Sequence, residues 1–156
     1  MNPPHSPFEI LIAEDNSGDI LLVREMLEQQ DWLFNLRVVS DGAEAIRLIE
    51  QLDREPQPRL DLVLMDMHLP KYDGTQILER LRASQHLSDT PVIVLSGLTA
   101  HQLHAETARF APVHHFTKPA DFHEYMKLGT LVSSILMPKM RVQPEVLAPK
   151  TGGETA

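Results

Sequence analysis

Five residues stand where short apolar runs stop: the pair Glu14-Asp15, then Asp66, Ser96 and Lys118. Each run reads as a buried strand, and in open α/β sheets ligands bind in the crevice beyond the strand carboxyl ends. These side chains are therefore expected to converge. Three acids, a hydroxyl and an ammonium suit a divalent cation and a phosphoryl group. Two carboxylates ~5 Å apart repel by ~3 kcal/mol at an effective dielectric of 20, so the acids call for a compensating cation. Mg²⁺ takes hard oxygen ligands and keeps positions open for a phosphoryl oxygen. A carboxylate can also attack phosphorus, giving an acyl phosphate. Asp66 stands alone at a central strand end and is the expected nucleophile, with Glu14 and Asp15 as the metal pair. Lys118 is expected to pair with a phosphoryl oxygen and Ser96 to donate its hydroxyl to one.

Taken singly, each residue has a plainer explanation. An acid just after a strand is more often a helix cap than a ligand, and Asp15 or Asn16 could simply cap the first helix. A lone serine usually caps, and a lone lysine is usually solvated. The joint arrangement at four strand ends is what favours chemistry.

The elements that must hold these residues follow from pattern. Phe8 to Ala13 is a strand, and a helix carrying Ile20, Val23 and Leu27, with Leu22 and Met26 beside that stripe, comes next. Asn35 to Ser40 is a second strand. Asp41 opens a helix with capping-box spacing to Glu44 and an apolar face of Ala45, Ile46, Leu48 and Ile49. Pro56 and Pro58 mark a loop. Leu60 to Met65 is the third strand, and the turn-rich Pro70 to Gly74 leads into a helix around Ile77, Leu78 and Leu81. Val92 to Leu95 is the fourth strand, followed by a weakly apolar helix from Ala100 to Arg109. Val113 to Phe116 is the fifth. The last helix opens at Asp121, with capping-box spacing to Glu124, and runs through Met126, Leu131, Val132 and Ile135; Gly129 weakens it by ~1 kcal/mol relative to alanine. Alternating strands and helices imply an α/β fold with a parallel sheet covered on both faces. The flavodoxin-like order 2-1-3-4-5 brings Glu14, Asp15 and Asp66 together at the centre.

Composition narrows the function classes. The 156 residues suffice for one well-filled core. No cysteine is present, which excludes disulfides, thiolate catalysis and zinc-thiolate sites. A formal charge of −8 disfavours nucleic acid as a direct partner. Neither a leader nor a membrane span is apparent, so a cytoplasmic protein is expected.

Glu14-Asp15-Asn16, Leu64-Met65-Asp66-Met67-His68-Leu69-Pro70 with Asp73-Gly74, Ser96, and Thr117-Lys118-Pro119 together resemble the motifs of two-component response-regulator receiver domains. The resemblance covers about residues 8 to 136. It implies phosphorylation at Asp66 by a sensor histidine kinase, Mg²⁺ held by Glu14, Asp15, Asp66 and the backbone carbonyl of His68, and switching through Ser96. Glu14 to Asp19 further resembles the small stand-alone receivers that partner bacterial phytochrome kinases. Receivers usually carry Tyr or Phe where His115 stands, and Ala111-Pro112 replaces a common Gly-Ala pair. An imidazole at position 115 is expected to make the switch face sensitive to pH near its ordinary pKa of ~6.5.

Two rivals share the chemistry or the fold. A Mg-dependent aspartyl-phosphate phosphohydrolase needs a second acid two residues after its nucleophile, where this chain has His68. A flavin module needs a Ser-, Thr- and Gly-rich loop after the first strand, where this chain has two acids. The eight histidines do not compose a metal site by pattern, since His114 and His115 point to opposite faces of a regular strand. Residues 1–136 therefore read as one receiver domain and 137–156 as a tail. Met140, Val142, Val146 and Leu147 make that tail a candidate arm for a homodimer.

Overall fold

The computed structural model describes residues 6–140. Five strands, β1 (Phe8–Ala13), β2 (Phe34–Val39), β3 (Leu62–Asp66), β4 (Val92–Ser96) and β5 (Val113–Thr117), alternate with five helices. The helices are α1 (Ser17–Glu28), α2 (Gly42–Asp53), α3 (Gly74–Arg82), α4 (Ala100–Thr107) and α5 (Phe122–Leu136). All pairings are parallel and the order is β2-β1-β3-β4-β5, as expected. Among the described residues no helix is long and apolar enough to cross a membrane.

Strand alternation divides the core into two layers. Leu11, Ala13, Val63, Met65, Val92 and Val94 face α2, α3 and α4. Ile10, Ile12, Leu62, Leu64, Ile93 and Leu95 face α1 and α5. The three inner strands are buried on both faces, which is why they read as continuous apolar runs. β2 lies at an edge, and Val38 is exposed there.

Several boundaries differ from expectation. β2 and β3 are displaced from Asn35–Ser40 and Leu60–Met65 by one or two residues. α4 ends at Thr107 and tightens into a 3₁₀ turn, Ala108–Phe110, before Pro112. The expected capping boxes at Asp41 and Asp121 are one-sided. Each Asp accepts the amide three residues on, but Glu44 accepts from the Ser40 amide and Glu124 pairs with Lys127. Reciprocal boxes form instead at Asp73–Gln76 and Thr99–Gln102.

The buried stripe of α5 is Tyr125, Leu128, Gly129, Val132 and Leu136; Met126, Leu131 and Ile135 form its half-buried shoulder. Gly129 sits inside that stripe, where an added Cβ would come 2.6 Å from the side-chain nitrogen Nε2 of Gln30, so that flexible side chain would have to shift. Its helix penalty thus accompanies a close approach of α5 to the end of α1. After α5 a 3₁₀ turn, Met137–Lys139, brings Met140 against the α1/α5 layer. Val142, Val146 and Leu147 of the expected arm lie outside the described residues.

Candidate functional site

The ends of β1, β3 and β5 deliver their polar residues to one point. β1 stops where Glu14, wholly buried, turns its carboxylate inward; its Oε1 accepts the Asn16 amide at 3.1 Å. Asn16 is the N-cap of α1, accepting from the Asp19 amide, so neither acid of the Glu14-Asp15 pair is spent on capping through its side chain. Asp66 closes β3 with its Oδ1 accepting the His68 amide at 2.9 Å. Carboxylate oxygens of Glu14, Asp15 and Asp66 lie within 4.8 Å of one another.

Lys118 enters this cluster from just beyond β5, its amide donating to the Ser96 carbonyl at 2.8 Å. Its Nζ donates to Glu14 Oε2 at 2.7 Å, Asp19 Oδ2 at 3.0 Å and Asp66 Oδ2 at 3.0 Å. An ammonium has three N–H donors, and each finds a carboxylate. Burial alone would lower the Lys118 pKa, but the bonds to Glu14, Asp19 and Asp66 outweigh it and raise it. Burial pushes the Glu14 carboxyl upward, against the pull of Lys118 and the Asn16 amide.

Asp19, which enters the sequence reading only as the end of the Glu14–Asp19 motif, and Tyr125 were not read as site residues. Asp19 lies in the first turn of α1, where an acid is already explained by the helix dipole. Only the topology brings it to a lysine 99 positions away. Tyr125, on α5, donates its hydroxyl to Asp19 Oδ1 at 2.7 Å, and burial followed by that bond raises its pKa. The pairing of a buried tyrosine with this carboxylate is legible only once α1 and α5 are known neighbours.

Ser96 sits one residue beyond Leu95, the register partner of Asp66, and is buried; its Oγ accepts the Leu98 amide at 3.1 Å. The His68 side chain is exposed, and only its amide engages Asp66. His115 turns away from the acids and meets Thr107 at the end of α4, Nε2 to Oγ1 at 2.9 Å. The Thr107 hydroxyl also lies within hydrogen-bond distance of the Leu103 carbonyl, 3.0 Å away. Burial, then His104 and His114 nearby, lower the His115 pKa below 6.5. Its change of charge therefore moves to more acid pH than that of an ordinary imidazole.

The donor set is chemically suited to Mg²⁺: hard carboxylate oxygens, one of them fully buried, in a cluster carrying more negative charge than Lys118 neutralises. Comparison with known proteins points the same way. The model of the response regulator receiver domain matches residues 10–128. Response regulator Rcp1 of Synechocystis is 36% identical over 101 residues, which are 64% of this chain and 65% of Rcp1; the chain thus spans slightly less than two thirds of that relative. The structure of phosphorylated RcpA, a cyanobacterial phytochrome response regulator, superposes with a TM-score of 0.73 at 25% identity, covering 88% of this chain and 99% of RcpA. The Mn²⁺-bound form of Rcp1 gives 0.72 at 26% identity, covering 87% and 99%.

Proposed function

This chain belongs to the response regulator receiver domain family, and from that membership we propose that it accepts a phosphoryl group on Asp66 from a sensor histidine kinase. The observation that carries the assignment is the shared ammonium: Asp66 Oδ2 and Glu14 Oε2 both bind Lys118 Nζ at the end of a central strand. Attack by an Asp66 oxygen forms a P–O bond as the P–N bond to a kinase histidine breaks. Lys118 meets negative charge on the phosphoryl oxygens, and the Ser96 hydroxyl supplies a hydrogen bond to one of them. Glu14, Asp15 and Asp66, with the His68 carbonyl, would hold Mg²⁺, which when bound neutralises charge on the transferred group. Burial of Glu14 keeps that carboxylate from being satisfied by bulk water, so its oxygens stay committed to the cleft.

Similarity to RcpA, a phytochrome response regulator, supports a phytochrome-type kinase as the donor. Incubation with a small phosphodonor and Mg²⁺ should label the wild type, and mass spectrometry should place the label on Asp66. Asp66→Asn should abolish it. Undiminished labelling of that variant overturns the assignment.

A further inference from the structure

Of the three carboxylates that hold Lys118, two belong to the acidic triad that would take Mg²⁺. The third, Asp19, does not. A divalent cation held by Glu14, Asp15 and Asp66 would compete with the ammonium for two of its three carboxylates and would repel it. Asp19 Oδ2 is the one acceptor of the three that such a cation would leave to the ammonium alone. Asp19 is itself held: its backbone amide is bound by the Asn16 cap, and its Oδ1 accepts the hydroxyl of Tyr125, a side chain 1% exposed. The Tyr125 ring is itself buried in the α1/α5 layer, with Phe116 tilted against it at 6.4 Å between ring centroids.

We propose that Asp19, oriented by the Tyr125 hydroxyl, is a positioning residue that parks the Lys118 ammonium when the metal enters. The site thereby loads its cation without losing the lysine that must meet the phosphoryl group. The inference rests on the phosphoacceptor reading of Asp66 and on the triad as the Mg²⁺ site. It adds a physical link between the cleft and α5, since Tyr125 belongs to that helix. Rotation of α5 would loosen Asp19, and with it the hold on Lys118.

Tyr125→Phe tests this without changing any charge. Calorimetric titration of the full chain with Mg²⁺ should show about threefold to tenfold weaker binding in Tyr125→Phe, the factor expected for one lost hydrogen bond. Asp19→Asn should weaken it at least as much. In a Lys118→Met background Tyr125→Phe should have no effect, because no ammonium is left to park. An equal factor in both backgrounds, or wild-type affinity in Tyr125→Phe, overturns the proposal. A second measurement does not depend on the Lys118 variant folding. The ¹⁵N–¹H signal of the Lys118 ammonium should persist on adding Mg²⁺ to wild type and broaden in Tyr125→Phe; identical spectra count against the relay. If the wild type takes neither Mg²⁺ nor a phosphoryl group, the reading of the site fails and the relay with it. If it takes both while Tyr125→Phe behaves as wild type, only the relay fails.

Discussion

Single side chains in this protein are held by several partners at once, and Asp53 shows what that does to a pKa. The Ser84 hydroxyl, then the His86 and Gln85 amides and the His86 ring, hold its carboxyl at about 2, against an ordinary 3.8, despite the opposing cost of burial. A carboxyl lowered on folding stabilises the protein fully above its unfolded pKa, and that contribution is lost as pH falls through the folded value. Asp53→Asn should therefore be less stable than wild type at pH 5 to 7, with the gap closing between about pH 4 and 2. Urea midpoints across that range decide it, and a gap independent of pH would contradict the account. The same reasoning places His115. Its lowered pKa means that stability from the neutral ring is complete above 6.5 and declines as pH falls through the folded value. Glu14, Asp15 and Asp66 were legible in sequence because each stands where a buried run stops sharply, and Lys118 because it closes the short, half-buried run of β5. Asp19 and Tyr125 were not, because their pairing spans 106 positions and two helices.

Among the elements, the approach of α2 to the β3–α3 loop is the tightest constraint beside the cleft. The Gly42 amide donates to the Pro70 carbonyl at 3.0 Å, and a Cβ on Gly42 would fall 2.1 Å from the Tyr72 carbonyl oxygen. That neighbour is backbone and cannot swing aside. Lys71, between them, has φ 70°, a left-handed conformation that a side chain rarely adopts, and its Nζ pairs with Asp41 at 3.2 Å. Gly42→Ala should cost about 1–3 kcal/mol, the range for overpacking, and displace residues 70–72. Chemical denaturation measures the first and amide shifts the second. The sequence showed that a turn lies between Pro70 and Gly74, but not that α2 abuts it. Helix periodicity located all five helices. Of the α5 residues it picked out, Val132 lies in the buried stripe, whereas Met126, Leu131 and Ile135 flank it and a tyrosine and a glycine hold central places.

At the scale of the whole molecule, a ligand that binds only the folded chain stabilises it by mass action. Mg²⁺ should raise the thermal midpoint of the wild type and do so much less in Asp15→Asn; equal responses would remove Asp15 from the metal site. The homodimer expected from the tail is tested by deleting residues 141–156. Lys139 and Met140 are kept, because Lys139 Nζ donates to the Asp61 carbonyl and Met140 packs on the domain's own core. Sedimentation should show a dimer reduced to a monomer with Asp66 still labelled; a full-length monomer at tens of micromolar refutes the arm. The order β2-β1-β3-β4-β5 also bears on synthesis. A growing chain emerges from its amino end, and each strand after the first finds an open edge already made: β2 and β3 flank β1, then β4 joins β3 and β5 joins β4. The charges do not follow so smoothly. Glu14 and Asp19 wait 104 and 99 residues for Lys118, and Asp66 waits 52. A nascent chain that has made four strands therefore holds the acids of the cleft without the lysine that balances them. Arrival of residue 118 should lower that repulsion without cancelling it, so the cleft gains its internal cation only once the fifth strand has been made.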